Sequence, residues 1–104
     1  MIKIEVLKNS DIKKISISGH ANYDVYGKDI VCAAVSSIVT TSINGILCFK
    51  KTIEVSDNGK LLEIKVLEND EITNKLLFNM LSLLEGIEKQ YKNNLKIKTK
   101  EKNI

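Results

Sequence analysis

The residues best suited to carry chemistry are the single histidine, His20, and one of the two cysteines, Cys32. His20 follows Gly19 at the end of an alternating apolar segment, and Cys32 falls in the first turn of a predicted helix. A thiol at a helix N-terminus beside a histidine readily becomes a thiolate, the nucleophilic form. The pair could therefore attack a carbonyl through Cys32 while His20 protonates the leaving amine. The backbone N–H groups of Cys32 and Ala33 are candidate oxyanion donors.

Each of these residues also has a purely structural interpretation. A cysteine in an apolar helix is often a small core residue, and a lone histidine near a loop is often a surface residue. Cys48 lies in the last turn of the same predicted helix without a histidine near it, so we expect it to be a core residue. Its distance from Cys32 along a helix is about 24 Å, too far for an intrachain disulfide. Two free thiols, and an N-terminus without the apolar core of a signal peptide, indicate a reducing cytoplasm.

Two polar residues flank the candidate nucleophile. Asp29 is expected to be the N-cap of the helix, with orientation of His20 as the alternative. Ser36 lies one turn after Cys32 on the same helical face, so it could line the floor of a pocket, although helix packing explains it nearly as well. One histidine and two distant cysteines do not supply the four ligands of a zinc site, so we expect no metal and no cofactor.

The segment between His20 and the helix, residues 21–29, has no strand or helix periodicity and is predicted to be a loop. It contains Tyr23, Tyr26 and Gly27, and it is expected to be mobile when the site is empty. The two tyrosines could cover the cleft or contact an apolar substrate, although exposed loop tyrosines without a function are common.

Composition indicates an ordinary globular domain. The chain has 104 residues, 43% of them hydrophobic and 28% charged, which is enough for one modest core. All 16 basic residues are lysines, and the net charge is +3. Arginine is the residue that best suits base edges and phosphates, so its absence leads us to expect no direct nucleic-acid binding. The lysines after residue 88 are interpreted as a solvated tail, with attraction to RNA as the less favoured alternative.

Apolar periodicity and turn residues predict seven elements in the order ββαββαβ. The strands centre on residues 2–6, 15–17, 53–55, 62–66 and 95–97, and the helices on residues 30–49 and 70–91. This order predicts a single α+β domain over residues 1–104, a two-layer sandwich with two helices on one face of a mostly antiparallel sheet.

The two helices carry further expectations. Residues 30–49 contain no charge, and we interpret them as the central buried helix of the domain rather than as a membrane span. Asn69 is expected to cap the second helix, whose apolar face is predicted to comprise Ile72, Leu76, Met80, Leu84, Ile87 and Tyr91. Residues 98–104 are expected to be frayed.

One stretch resembles a known family. The motif GHA at residues 19–21, a short spacer, and GKDIVCAAVS at residues 27–36 are similar to the ribosomal-processing cysteine protease (Prp) family. The resemblance implies that His20 and Cys32 are the catalytic pair. It also implies that Gly19, Asp29 and Ser36 occupy the other motif positions that shape the site.

The resemblance further implies that the protein is a homodimeric endopeptidase of the bacterial cytoplasm. It also implies that the loop of residues 21–29 is a flexible cover over the site. Its expected substrate is a large-subunit ribosomal protein, from which it would remove an N-terminal extension after paired aromatic residues. The alternative is a non-catalytic ribosome- or RNA-binding accessory protein in which Cys32 is a core residue.

Overall fold

A computed structural model describes residues 1–101 of the chain. These residues form the predicted ββαββαβ order: β1 (Ile2–Lys8), β2 (Ile12–Ser18), α1 (Ile30–Phe49), β3 (Ile53–Asp57), β4 (Leu61–Val66), α2 (Glu71–Gln90) and β5 (Leu95–Glu101). The α+β class predicted from the sequence is therefore confirmed.

The five strands form one mixed sheet in the order β3-β4-β2-β1-β5. β1 and β2 form an antiparallel hairpin, as do β3 and β4, and β2 also pairs antiparallel with β4. β5 runs parallel to β1. Because Ser18 at the end of β2 lies opposite Leu61 at the start of β4, the tip of the β3–β4 hairpin lies beside the end of β2.

The core lies between one face of this sheet and the two helices, which pack against each other. β1 buries alternate residues, so its other face points away from the helices. The strands contribute fully buried isoleucines at positions 4, 15 and 64, and α1 contributes Val31, Val35, Val39 and Ile46. The predicted arrangement, with both helices on one face, is confirmed.

The expectation that α1 is a central buried helix is wrong. By length and composition alone α1 could cross a membrane, yet only 22% of its most apolar stretch is buried within the fold. A two-layer fold has no further layer over the helices, so Ile30, Leu47 and Phe49 are exposed. Cys48 is exposed as well, which corrects its assignment to the core. It lies about 200° around the helix from the buried Ile46, since successive residues rotate by about 100°.

The start of α2 differs from the prediction by one residue. Asp70, rather than Asn69, is the N-cap, and its Oδ1 accepts the N–H groups of Ile72 and Thr73 at 2.9 and 3.2 Å. Of the predicted apolar face, Met80 and Leu84 are buried, and Leu76, Ile87 and Tyr91 pack partly buried against the core, but Ile72 is exposed. The buried residues of α2 are Thr73, Leu77, Met80, Leu81 and Leu84.

The C-terminal strand is longer than predicted. Residues 98–101 were expected to be frayed, but they continue β5 and pair with β1 as far as Lys8 and Glu101. The parallel ladder with β1 supplies the backbone partners that an isolated tail would lack. Lysines 96, 98 and 100 are exposed on this strand, and residues 102–104 lie outside the described part of the chain.

Candidate active site

A cleft of about 860 Å³ opens where β2 ends, α1 begins and the β3–β4 hairpin turns. The candidate pair, His20 and Cys32, lines this cleft together with other residues singled out from the sequence: Gly19, Tyr26, Gly27, Asp29, Ala33 and Ser36. The fold therefore brings together residues that the sequence motif separates by a nine-residue loop and a helical turn.

Gly19 shapes the turn that leads into His20. Its φ of +83° is in the left-handed region, and a Cβ there would lie 2.3 Å from the carbonyl oxygen of Met1. Only glycine tolerates both the backbone conformation and the close approach. His20 itself is exposed, so its imidazole is accessible to a bound substrate and to solvent.

Cys32 is the third residue of α1 and is half-buried against the core. Its Sγ accepts a hydrogen bond from the backbone N–H of Ala21, with an N···S distance of 3.4 Å. Because Ala21 directly follows His20 in the chain, this bond holds the end of β2 against the thiol. Sequence reasoning missed this contact, and no local pattern around Ala21 indicates it.

Asp29 ties the loop to the helix through both carboxylate oxygens. Oδ1 accepts the N–H groups of Val31 and Cys32, each at 3.0 Å, as expected for an N-cap. Oδ2 accepts those of Tyr23 and Asp24 at 2.9 and 3.3 Å. These backbone donors, Cys32 foremost, hold the pKa of Asp29 below its usual value. Since both oxygens bind backbone amides, the structure supports the capping role over orientation of the histidine.

The same cap corrects the expected oxyanion donors. The N–H of Cys32 donates to Oδ1 of Asp29, and the N–H of Ala33 donates to the backbone carbonyl of Asp29 at 3.1 Å. Both amides are therefore engaged within the first turn of α1 and do not point freely into the cleft. Ala33 still lines the cleft with its exposed side chain. The amide that reaches the sulfur is that of Ala21.

The loop over the cleft is irregular, as predicted, and its two tyrosines lie in different places. Tyr26 is fully exposed and lines the cleft, beside Gly27 with its φ of +87°. Tyr23 is not among the cleft residues. Its ring packs edge-on against Tyr91, with 5.2 Å between centroids. The structure thus assigns Tyr23 to anchoring the loop, which corrects its expected place over the cleft.

The far wall of the cleft was not anticipated. It is formed by the tip of the β3–β4 hairpin, including Asp57, Gly59, Lys60 and Leu61. The sequence predicts a turn at this point, but only the pairing of β4 with β2 brings that turn to the site. Within residues 1–101, no group of three or more His, Cys, Asp or Glu side chains could hold a metal ion.

The chain and its fold have clear relatives among known proteins. The family model described as cysteine protease Prp matches residues 1–96. The ribosomal processing cysteine protease Prp of Staphylococcus aureus is 30% identical, with 96% of this chain and 100% of the relative covered. The protein of the same name from Bacillus subtilis is 29% identical, covering 95% of this chain and 97% of the relative.

A solved structure agrees with these matches. The crystal structure of the essential ribosomal processing protease Prp from S. aureus, in complex with a covalently linked product peptide, superposes with a TM-score of 0.88. It is 30% identical and covers 96% of this chain and all of the other. The same match overturns the alternative of a non-catalytic accessory protein. The chain belongs to the cysteine protease Prp family and is a cysteine protease.

Proposed function

We propose that this protein is an endopeptidase that removes the N-terminal extension of a bacterial large-subunit ribosomal protein. The single observation that carries the proposal is that His20 and Cys32 line one open cleft, with the Ala21 amide donating to the cysteine sulfur. The related S. aureus enzyme has been solved with a substrate peptide and with a covalently linked product peptide, which supports a peptide substrate for this protein.

In the proposed reaction, the Sγ of Cys32 attacks the scissile carbonyl carbon while the imidazolium of His20 protonates the departing amine. A thioester forms between Cys32 and the N-terminal fragment, and the C–N bond breaks. Water then attacks the thioester as His20 accepts its proton, which releases the new carboxylate and regenerates the thiolate. The Ala21 N–H stabilises negative charge on the sulfur between turnovers, since hydrogen bonds to an ionised acceptor are the stronger kind.

The walls of the cleft fit a bulky apolar residue at the cut site. Ile17, Val39 and Leu62 line it between the sheet and α1, and Leu61 extends this surface along the hairpin. Ser36, exposed one turn after Cys32, adds a polar group on the helix side. Such a mixed surface is typical of peptide sites in which apolar area gives affinity and a few polar groups fix orientation.

The direct test is incubation with the extended ribosomal protein of the same host, followed by intact-mass analysis. Wild type should release the extension as one fragment, and Cys32→Ala and Cys32→Ser should not, because loss of a nucleophile costs many orders of magnitude. Cys48→Ser is the matched control and should cleave normally, since Cys48 is exposed and outside the cleft. Cleavage by Cys32→Ser within about tenfold of wild type would exclude Cys32 as the nucleophile.

We also propose that the protein acts in the cytoplasm as a homodimer joined through the outer face of α1. Phe49 is 71% exposed and Leu47 43%, and this end of the helix has no layer above it within the described fold. Sedimentation should then give about twice the 11.7 kDa mass of the chain. Phe49→Asp should reduce that mass to a monomer's, whereas Leu83→Asp, at a leucine on α2 that is 50% exposed, should not. If both variants remained dimeric, the outer face of α1 would be excluded as the dimer interface.

A further inference from the structure

We infer that Asn94, in the turn between α2 and β5, is a positioning residue of the active site. The inference rests on the proposed function and extends it to a residue distant in sequence from the histidine and cysteine motif. The side chain of Asn94 hydrogen-bonds to neither His20 nor Cys32. It acts through Ala21, which follows His20 in the chain and donates its N–H to the Sγ of Cys32.

The chain of contacts is short and direct. The Nδ2 of Asn94 donates a hydrogen bond to the backbone carbonyl of Ala21 at 2.9 Å, across 73 positions of sequence. The N–H of the same residue, Ala21, donates to the Sγ of Cys32. Ala21 as a whole is 1% exposed and belongs to the core. Ala21 is therefore held by its side chain, its N–H and its C=O at once.

Asn94 can serve as an anchor because its own backbone is fixed on both sides. Its N–H donates to the carbonyl of Tyr91 at 2.9 Å, and its carbonyl accepts the N–H of Ile2 at 2.9 Å. The end of α2 and the start of β1 thus set the position of the amide. Tyr91 also packs against Tyr23, so the same turn holds the loop at a second point.

The position of His20 depends on its two neighbours in the chain. Gly19 is set by its close approach to Met1, and Ala21 by the three anchors described above. The Asn94 bond holds the Ala21–Asn22 peptide, and the N–H that binds the sulfur belongs to the preceding His20–Ala21 peptide. Without that bond, a shift of the Ala21 Cα displaces both this N–H and the adjoining His20. A misplacement of about 1 Å in a reacting group can lower a rate about a hundredfold. Substrate contacts along α1 and the hairpin would be unchanged.

Two variants separate hydrogen bonding from packing. Asn94→Asp keeps the shape but replaces the donor by an acceptor that faces the Ala21 carbonyl, and Asn94→Ala removes the group. Asn93→Ala, at the exposed neighbouring asparagine, is the matched control. Both Asn94 variants should lower kcat by about ten- to a hundredfold with KM within about threefold, and Asp should be at least as damaging as Ala. Thermal melting establishes that each variant is folded at the assay temperature.

A second readout does not depend on any substrate. Alkylation of Cys32 by iodoacetamide near pH 7 should be several-fold slower in Asn94→Asp than in wild type or Asn93→Ala, because thiolate stabilisation by the Ala21 amide is weakened. Wild-type kcat in a folded Asn94→Asp would overturn the inference. If wild type itself cleaved no ribosomal protein, the proposed substrate would be refuted, and alkylation alone would decide about Asn94. Equal alkylation rates would then overturn its positioning role.

Discussion

Replacing Gly19 by alanine adds one methyl group between the end of β2 and the candidate catalytic residue His20. The φ of +83° is unfavourable for any residue with a Cβ, at a cost of about 1–2 kcal/mol. The new Cβ would also lie 2.3 Å from the Met1 carbonyl oxygen and 3.4 Å from its carbon. These are backbone atoms, which cannot rotate away as a side chain can, so either the start of β1 or the turn must move.

Gly27→Ala is the matched control for this change. Gly27 has almost the same φ, +87°, but nothing lies within 4 Å of the position its Cβ would take. Its substitution should therefore lower the free energy of unfolding only by the cost of the positive φ, about 1–2 kcal/mol. Overpacking typically adds about 1–3 kcal/mol, so Gly19→Ala should lose about 2–5 kcal/mol in total.

The free energy of unfolding of both variants can be measured by urea denaturation. Gly19→Ala should also lose peptide cleavage in conditions where it is still folded, because relief of the clash displaces His20. Gly27→Ala leaves the turn before His20 unaltered, so its activity reports only on the loop. If Gly19→Ala proved no less stable than Gly27→Ala, the close approach to Met1 would not constrain the turn, and the reasoning would fail.

Three more outcomes can be checked with the same assays. If His20 and Cys32 act as a pair, the cleavage rate should follow a bell-shaped pH profile. His20→Ala should lower the maximal rate by at least about a hundredfold and abolish the bell shape. An unchanged profile in this variant would exclude His20 from the mechanism. Backbone donors lower the pKa of Asp29 in the folded protein, so its carboxylate stabilises the fold fully at neutral pH. This stabilisation is lost as the pH falls through the lowered pKa and the carboxylate is protonated. Asp29→Asn should keep the helix cap but release the Tyr23 and Asp24 amides, seen as faster hydrogen exchange there, and exchange as slow as in wild type would refute the anchor. In the Phe49→Asp background, which is expected to be monomeric, Cys48→Ser should change the free energy of unfolding by less than about 0.5 kcal/mol because its side chain is exposed within the subunit. A larger loss there would show that the thiol is packed within the subunit.

Local features of this protein could be predicted from the sequence alone. Alternation of apolar residues predicted the strands, and Asp29 before an uncharged segment predicted the start of α1. The spacing of the two cysteines on one helix excluded a bridge between them, and both are free in the structure. Caps, turns and strand alternation act over a few residues, so they are readable without knowing what packs against them.

The tertiary structure decided which distant groups meet. The sheet order places β4 beside β2, which brings the hairpin tip to the cleft, and β5 beside β1, which brings Asn94 to Ala21. The two-layer arrangement leaves the outer side of α1 exposed, so Cys48 is on the surface despite its apolar neighbours. Periodicity marks which face of an element is apolar, but not how much of that face another layer covers. Those outcomes depend on the packing of whole elements, and on hydrogen bonds between residues that no local pattern connects.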